Sequence, residues 1–258
     1  MGKLTSLGSA MGEIGHLLGS GKEAEVYEYG ELALKLYRSR TSKASAFREA
    51  ANLAVVEQLA LPTPKVHAVG EFDGRWGLLM DRAPGSSIAE QITSADRMLS
   101  LESMVQLHRR IHEQSGRGLP SLKARLSTNI RRAGCLDAAS QDRLLLQLKT
   151  LPDGDRMCHG DFHPWNIHGS AGELMVLDWL DACSGNPAAD VCRTYVLMQH
   201  VAPAAATDYV ETYARMAGLN SADILAWLPP VAAARLVEGV ANENDALLRL
   251  AGPEAANE

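Results

Sequence analysis

The chain has 258 residues, 46% of them hydrophobic, and a formal net charge of -6. That length and apolar content suffice for one large domain or for two lobes around a cleft. The acidic balance leaves no basic stripe to release counterions, which argues against a nucleic-acid binder, and no run of eighteen apolar residues is present to span a membrane.

The first stretch, residues 1 to 13, is rich in Gly and Ser without a period and reads as frayed. It lacks the apolar core of a secretion signal, though Gly2 and Ser6 formally fit the short, common myristoylation pattern. Cys135, Cys158, Cys183 and Cys192 show neither zinc spacing nor a disulfide framework, and read as reduced, mostly buried thiols of a cytoplasmic protein.

From Leu17 the text reads as strand, glycine turn and strand, with Val26 opening the return. Gly19 and Gly21, flanking Ser20, would let the backbone approach a phosphate closely, whereas Gly21-Lys22-Glu23 breaks the Walker rule and a plain hairpin is the alternative. The next strand, Glu31 to Tyr37, alternates: Leu32, Leu34 and Leu36 share one face, and Ala33, Lys35 and Tyr37 the other. A lysine inside such a run is costly to bury unless an anion meets it. Lys35 is therefore either an exposed edge-strand lysine or a group that meets a phosphate.

Residues 42 to 60 read as a helix ending before Pro62 and Pro64, with Phe47, Ala50, Leu53 and Ala54 as the packed face and Glu49 turned to the sheet. Val66 to Phe72 and Arg75 to Met80 flank Asp73-Gly74, a strong hairpin signal that completes a five-stranded antiparallel sheet. Asp81 to Gly85 then breaks all periodicity, as a hinge should, and separates a lobe of residues 1 to 80 from one of residues 86 to 258.

After Ser94 the chain turns helical. Leu101, Met104, Val105, His108 and Ile111 mark an apolar stripe. His108 and His112, four apart, could chelate a metal, but no third ligand accompanies them, so they read as core or capping histidines. Helices near 121 to 133 and 137 to 149 follow, joined at Gly134. The interruption runs from Cys158 to Asp181. Asp161 and Asn166 lie five apart on a stretch that Pro164 keeps from becoming helical. Gly169 to Gly172 is a turn by composition, and the apolar run Leu174 to Leu177 ends on Asp178. Such a hairpin folds Asp178 back towards Asn166. The loop then offers one base candidate and two hard oxygen ligands, the set that a magnesium-nucleotide reaction needs.

The run His159-Gly160-Asp161-Phe162-His163-Pro164-Trp165-Asn166, followed by Leu177-Asp178-Trp179, resembles the catalytic loop and metal-binding segment of the aminoglycoside phosphotransferase and choline kinase families. These are small-molecule kinases with a protein-kinase-like fold. The resemblance implies an α+β, two-lobed architecture: a small antiparallel sheet lobe with one helix that binds nucleotide, and a larger, mostly helical lobe that carries catalysis. It implies Asp161 as catalytic base, Asn166 and Asp178 as ligands of Mg2+, ATP as co-substrate, and a small hydroxyl-bearing acceptor.

The same resemblance implies that Lys35 meets the α- and β-phosphates and that Glu49, with Glu57 as its rival, pairs with that lysine. Gly19, Ser20 and Gly21 would approach the phosphates, Val26 and Ala33 would cover the adenine, and backbone groups of Met80, Asp81 and Ala83 would face its edge. His163 stands where protein kinases put a lysine that touches the transferring phosphate; a packed or solvent-facing histidine is the alternative. Asp190 stands where relatives hold an aspartate that braces the catalytic loop.

Protein kinases usually carry Arg where this chain has Gly160, and few residues separate Asp178 from the turn at Ser184 to Pro187. Both features favour a small molecule over a protein substrate. Trp165 departs from the families, which more often have a small residue there, and would either line or crowd the acceptor pocket. The acidic residues between Asp208 and Asp245 suit a cationic acceptor or make an ordinary solvated face. The rival readings are a catalytically silent, kinase-like nucleotide-binding module and an atypical protein kinase.

Overall fold

The structure is a computed structural model that describes residues 13–94, 97–170, 173–240 and 242–252. Residues 1 to 12, with the acylation pattern at Gly2 and Ser6, and Ala171 and Gly172 of the expected turn lie outside the described residues. The chain divides into two compact units, Met1–Pro84 and Gly85–Glu258.

In the first unit β1 (Leu17–Ser20), β2 (Ala24–Tyr29) and β3 (Leu32–Tyr37) precede α1 (Lys43–Val56), and β4 (Val66–Phe72) and β5 (Arg75–Asp81) follow it. The strands form one antiparallel sheet in the order β1-β2-β3-β5-β4. Asp73 and Gly74 have φ of 49° and 72°, the backbone that a two-residue hairpin turn requires. The alternation along β3 holds: Leu34 and Leu36 join Tyr29, Phe72 and Leu79 in one core cluster, while Tyr37 packs with Ala24 and Ala46 of α1 on the opposite face.

The helix differs from expectation in phase and length. Its buried positions include Ala46, Glu49, Leu53 and Val56, a three-and-four spacing that makes one face. Phe47 is 50% exposed and Ala54 is exposed too, so neither belongs to the packed face. Phe47 instead rests on Trp76, ring centroids 5.4 Å apart. In an alanine-rich helix several apolar stripes look alike in the text, and only contact with the sheet selects one. Ser42 caps the start by accepting a hydrogen bond from the Ala44 amide. The α-helix ends at Val56 and a 3-10 turn, Glu57–Leu59, leads to Ala60 at φ 52°. At the far end β5 extends through Asp81, one residue into the expected hinge, because Asp81 and Lys65 continue the ladder.

The second unit opens with α2 (Arg97–His112), α3 (Leu122–Arg132) and α4 (Ala138–Thr150), then β6 (Arg156–Cys158). A hairpin of β7 (Ile167–Ser170) and β8 (Glu173–Val176) follows, and β9 (Cys183–Gly185) returns to pair with β6. Helices α5 (Pro187–Gln199), α6 (Pro203–Ala217), α7 (Ser221–Leu225), α8 (Leu228–Arg235) and α9 (Asn244–Ala251) complete it. Ser184 and Gly185, expected in a turn, belong to strand β9; a three-residue strand is too short to show a period. The β6–β9 ladder sets Cys158 directly opposite Cys183, both buried, a juxtaposition that sequence spacing did not indicate. Among the described residues, no helix is long and apolar enough to cross a membrane.

Replacing Leu53, 1% exposed, by Ala should cost about 2–5 kcal/mol of stability, whereas the surface change Ala54→Ser should stay within about 0.5 kcal/mol. Urea unfolding midpoints of the two variants check which helix face carries the packing.

Candidate active site

The stretch from His159 to Asn166 is held by one face of α5. Asn186 caps that helix, accepting from the Ala188 amide, and Pro187 occupies its first turn. Three residues on the helix, Asp190, Arg193 and Thr194, fall at the three-and-four spacing that shares a face. Asp190 accepts from the His159 amide at 2.7 Å and the Gly160 amide at 2.8 Å. Arg193 donates to the Gly160 carbonyl at 3.3 Å and to Asp161 Oδ1 at 3.2 Å. Thr194 donates its hydroxyl to the Phe162 carbonyl at 2.6 Å. A segment with no regular secondary structure thus has its polar groups fixed, residue after residue, by a rigid element.

Gly160 adopts φ of +81°, and a Cβ there would come within 2.3 Å of the Asp181 carbonyl oxygen and 2.6 Å of the Arg125 guanidinium. No side chain fits, which accounts for glycine at this position. Arg125, from α3, donates to the Asp181 carbonyl and pairs with its carboxylate at 3.4 Å.

Within the loop, Asp161 Oδ2 lies 3.4 Å from both His163 Nε2 and Asn166 Nδ2. Burial alone would raise the Asp161 pKa, but the hydrogen bond from His163 and the charges of His163 and Arg193 outweigh it and hold the carboxyl far below the usual range. Asn166 also donates its amide to the Asp161 carbonyl at 3.0 Å, which leaves the side-chain oxygen as its remaining polar atom. His163 Nδ1 is buried and has no hydrogen-bond partner among the described residues. Trp165 is 40% exposed and meets the His163 ring edge-on, so it lies open rather than filling the interior.

The hairpin brings the second aspartate back. Leu177 donates its amide to the Asn166 carbonyl at 2.8 Å, placing Asp178 next to the loop. His159 adds a further tie: its Nε2 donates to the Leu177 carbonyl at 3.0 Å while Nδ1 accepts from the Asp161 amide at 3.2 Å. Burial lowers the pKa of this ring, in keeping with the neutral tautomer those partners demand. Asp178 itself sits at φ 62°, ψ 66°, a left-handed conformation costing on the order of 1–3 kcal/mol in a residue other than glycine. Strain of that kind recurs where a side chain must be aimed.

Asp190 has two further donors. His108 Nε2 reaches its Oδ2 at 2.9 Å and His112 Nε2 at 3.2 Å. The third group that the histidine pair lacked in the sequence is therefore this aspartate. The carboxylate only accepts, so each Nε2 carries hydrogen, and each Nδ1 accepts from a buried tyrosine hydroxyl, Tyr209 and Tyr213 respectively. The satisfied-core reading of the pair is the one this network supports. Complete burial pushes the His108 pKa down to about 3.

The first unit assembles its own polar pair. Lys35, 7% exposed, lies 2.8–2.9 Å from the Glu49 carboxylate, which also accepts from the Tyr37 hydroxyl. The exposed-lysine reading fails here, and Glu49 rather than Glu57 is the partner. Register places Val26 opposite Lys35 and Ala33 opposite Met80, so these four share one face of the sheet. The glycine turn is less open than expected. The Gly21 amide donates to the Ala24 carbonyl, and Arg38 holds both the Gly21 carbonyl and the Ser20 hydroxyl. Gly19 is paired with Val26 in the ladder. A cavity of about 490 Å³ adjoins this turn, lined by Lys22, Glu25, Arg38, Arg40 and Arg75 among others. Asp81 is also engaged, its carboxylate accepting from the Lys65 amide and from His67. Ala83 follows the strand end without regular structure.

Sequence reasoning did not find Arg193, Thr194 or Arg125. The spacing of Asp190, Arg193 and Thr194 on one helix was the available signal for the first two; nothing in the text pointed to Arg125.

A family model described as the Phosphotransferase enzyme family (APH) matches residues 16–228, and the chain belongs to that family. Its fold is that of aminoglycoside phosphotransferases. A thermostable mutant of aminoglycoside phosphotransferase APH(4)-Ia, in ternary complex with AMP-PNP and hygromycin B, superposes with a TM-score of 0.69 at 17% identity, covering 95% of this chain and 96% of that one. Aminoglycoside-3'-phosphotransferase of type VIII gives 0.61 at 20% identity over 86% and 90%. An amicoumacin kinase in complex with AMP-PNP, Ca2+ and Ami gives 0.62 at 16% identity over 92% and 88%. No curated protein matches the chain in sequence. By family the chain is a phosphotransferase.

The His108 shift has a consequence for stability. Its folded pKa, about 3, lies below the ordinary value of 6.5, so the unfolded chain takes up a proton that the folded chain refuses. Stability is therefore unaffected above pH 6.5 and falls as pH drops through the window from 6.5 to 3. Asp190, also held below its usual value, acts in the same direction at the acid end. The loss attributable to His108 between pH 6.5 and 5 should be on the order of 2 kcal/mol. Urea midpoints at pH 7.5, 6.5 and 5 check it, and His108→Asn should flatten the slope.

Proposed function

We propose that the chain transfers the γ-phosphate of magnesium-bound ATP to a hydroxyl group of a small molecule. One observation carries the reading: a carboxylate and an amide, Asp161 and Asn166, are fixed on a helix-braced loop beside the strained Asp178, the set that phosphoryl transfer uses. The buried Lys35–Glu49 pair supports it from the first unit, because a lysine buried with a carboxylate that keeps it charged is suited to meeting phosphates. The relatives in fold that were solved with AMP-PNP and with hygromycin B or Ami support a nucleotide together with a second small molecule as ligands.

In this reading Asp161 accepts a hydrogen bond from the acceptor hydroxyl and orients it in line with the γ-phosphate. A carboxylate held at such low basicity is a poor proton abstractor early in the reaction. It suits a loose transition state in which the hydroxyl proton leaves late. Asn166 and Asp178 fit magnesium by chemistry, both offering hard oxygens, the amide one having its nitrogen already bonded to the loop. When bound, the metal neutralises charge on the phosphates. Lys35 screens the remaining charge with Glu49 as its orienting partner, and His163, whose Nε2 lies 3.4 Å from Asp161 Oδ2, contacts the transferring phosphate. Val26 and Ala33 cover the adenine, Met80, Asp81 and Ala83 present backbone groups near its edge, and Gly19, Ser20 and Gly21 pass close to the phosphates. Trp165, open to solvent, is proposed to line the acceptor site.

The acceptor class is found by a thermal-shift screen with magnesium and ATP plus amino sugars, neutral sugars and amino alcohols, followed by a transfer assay on the compounds that raise the midpoint. Asp161→Ala should lower kcat at least about a thousandfold and leave nucleotide affinity within about twofold. Asp178→Ala should instead abolish magnesium-dependent nucleotide binding. Substantial turnover in the first variant, or unaltered affinity in a titration of the second, would refute the assigned roles.

A further inference from the structure

We propose that Arg193 is a positioning residue for phosphoryl transfer, and that an alternating chain of charges reaching back to Glu243 sets which oxygen of Asp161 receives the acceptor. The inference rests on the reading of Asp161 as the acceptor-facing base and adds to it residues outside the recognised motif.

The geometry is specific. Arg193 holds the Gly160 carbonyl through Nε at 3.3 Å and Asp161 Oδ1 through its terminal nitrogen at 3.2 Å, so one guanidinium fixes the main chain before the aspartate and the aspartate's own carboxylate. Its side chain is only 11% exposed. The same terminal nitrogen also meets Glu238 Oε1 at 2.7 Å, and Glu238 Oε2 reaches Arg235 at 2.7 Å. Arg235 then forks onto Glu243, at 2.6 Å and 2.9 Å. The series Asp161, Arg193, Glu238, Arg235, Glu243 thus alternates in sign from catalytic loop to the start of α9.

Each guanidinium in that series meets two carboxylates. Rotating any one of them away would leave a partly or wholly buried charge without its partner, so the chain has one low-energy arrangement. Asp161 Oδ1 is consequently committed to Arg193. Among the described residues its Oδ2 has two contacts, both at 3.4 Å, loose enough to yield to an acceptor hydroxyl. A free aspartate would sample both oxygens and several rotamers, and a displacement near 1 Å at a reacting group costs about a hundredfold in rate. A lysine cannot replace this arginine, because a single ammonium does not reproduce a fork that grips a carbonyl and two carboxylates together.

The test uses the full chain and magnesium-ATP with water as acceptor, repeated with any hydroxyl compound that the screen supplies. Arg193→Met should lower kcat about a hundredfold and Arg193→Lys about tenfold, each with KM for ATP and nucleotide affinity within about twofold of the parent. Glu238→Gln, which does not touch Asp161, should show the same kcat-only signature at about three- to tenfold. Melting midpoints and active-site titration with a nucleotide separate this from lost folding. Should Arg193→Met not fold, the charge-conserving lysine variant and Glu238→Gln carry the measurement. Unchanged kcat in the folded variants, or a loss confined to KM, overturns the positioning role. A parent chain that transfers phosphate neither to water nor to any compound of the screen overturns the phosphotransferase mechanism itself, and this inference with it.

Discussion

The hydrogen bonds that meet on the Asp190 carboxylate are the constraint on which the second unit depends. Two come from the backbone amides of His159 and Gly160 and two from histidines of α2, and the group is wholly buried. A buried carboxylate is tolerable only when its lone pairs are filled, and here they are filled by the elements that must be held in register. The tyrosines of α6 complete the set by donating to the two histidines. Three helices and one irregular loop are therefore tied to a single side chain. A loop pinned this way does not need secondary structure of its own to keep Asp161 in place.

The same helix deals with the loop in three chemically different ways. Asp190 takes its amides, Arg193 takes a carbonyl and a carboxylate, and Thr194 takes a carbonyl. Because the three residues lie within one turn, no relative movement of separate elements can loosen one contact without the others. His159 plays the matching role on the opposite flank, joining the Asp161 amide to the strand that delivers Asp178. Base candidate and metal-ligand candidates are thereby separated by hydrogen bonds rather than by flexible chain.

In the first unit the comparable economy is the Lys35–Glu49 pair. The strand alternation puts Lys35 on the face that receives α1, and the helix phase puts Glu49 on its buried side. Either residue alone would be a costly buried charge; together, with the Tyr37 hydroxyl, they form a satisfied polar island in an apolar layer. The glycine turn beside them is secured by Arg38, so its backbone is less free than glycine content suggests.

Much of this was legible in the residues. Period-two alternation identified β3, Asp73-Gly74 identified the β4–β5 turn, and the His159 to Asn166 run with Asp178 identified the loop and hairpin of the candidate site, because each is a local pattern whose cause lies within a few residues. The phase of α1 was misread in part: its alanines offer several equivalent stripes, and Phe47 and Ala54 gave way to Ala46 and Val56 only when the sheet was present to choose. The bracing of the loop by Asp190 was expected, but its histidine partners and the partners of Arg193 were not legible at all. His108 and Tyr209 are about a hundred residues apart, as are His112 and Tyr213, and Glu238 lies far along the chain from Asp161. Local sequence therefore determined which groups could do the chemistry and which strands and turns would carry them. Tertiary structure alone decided which charges meet, since ion pairs and buried hydrogen bonds depend on distances in space that sequence spacing does not encode.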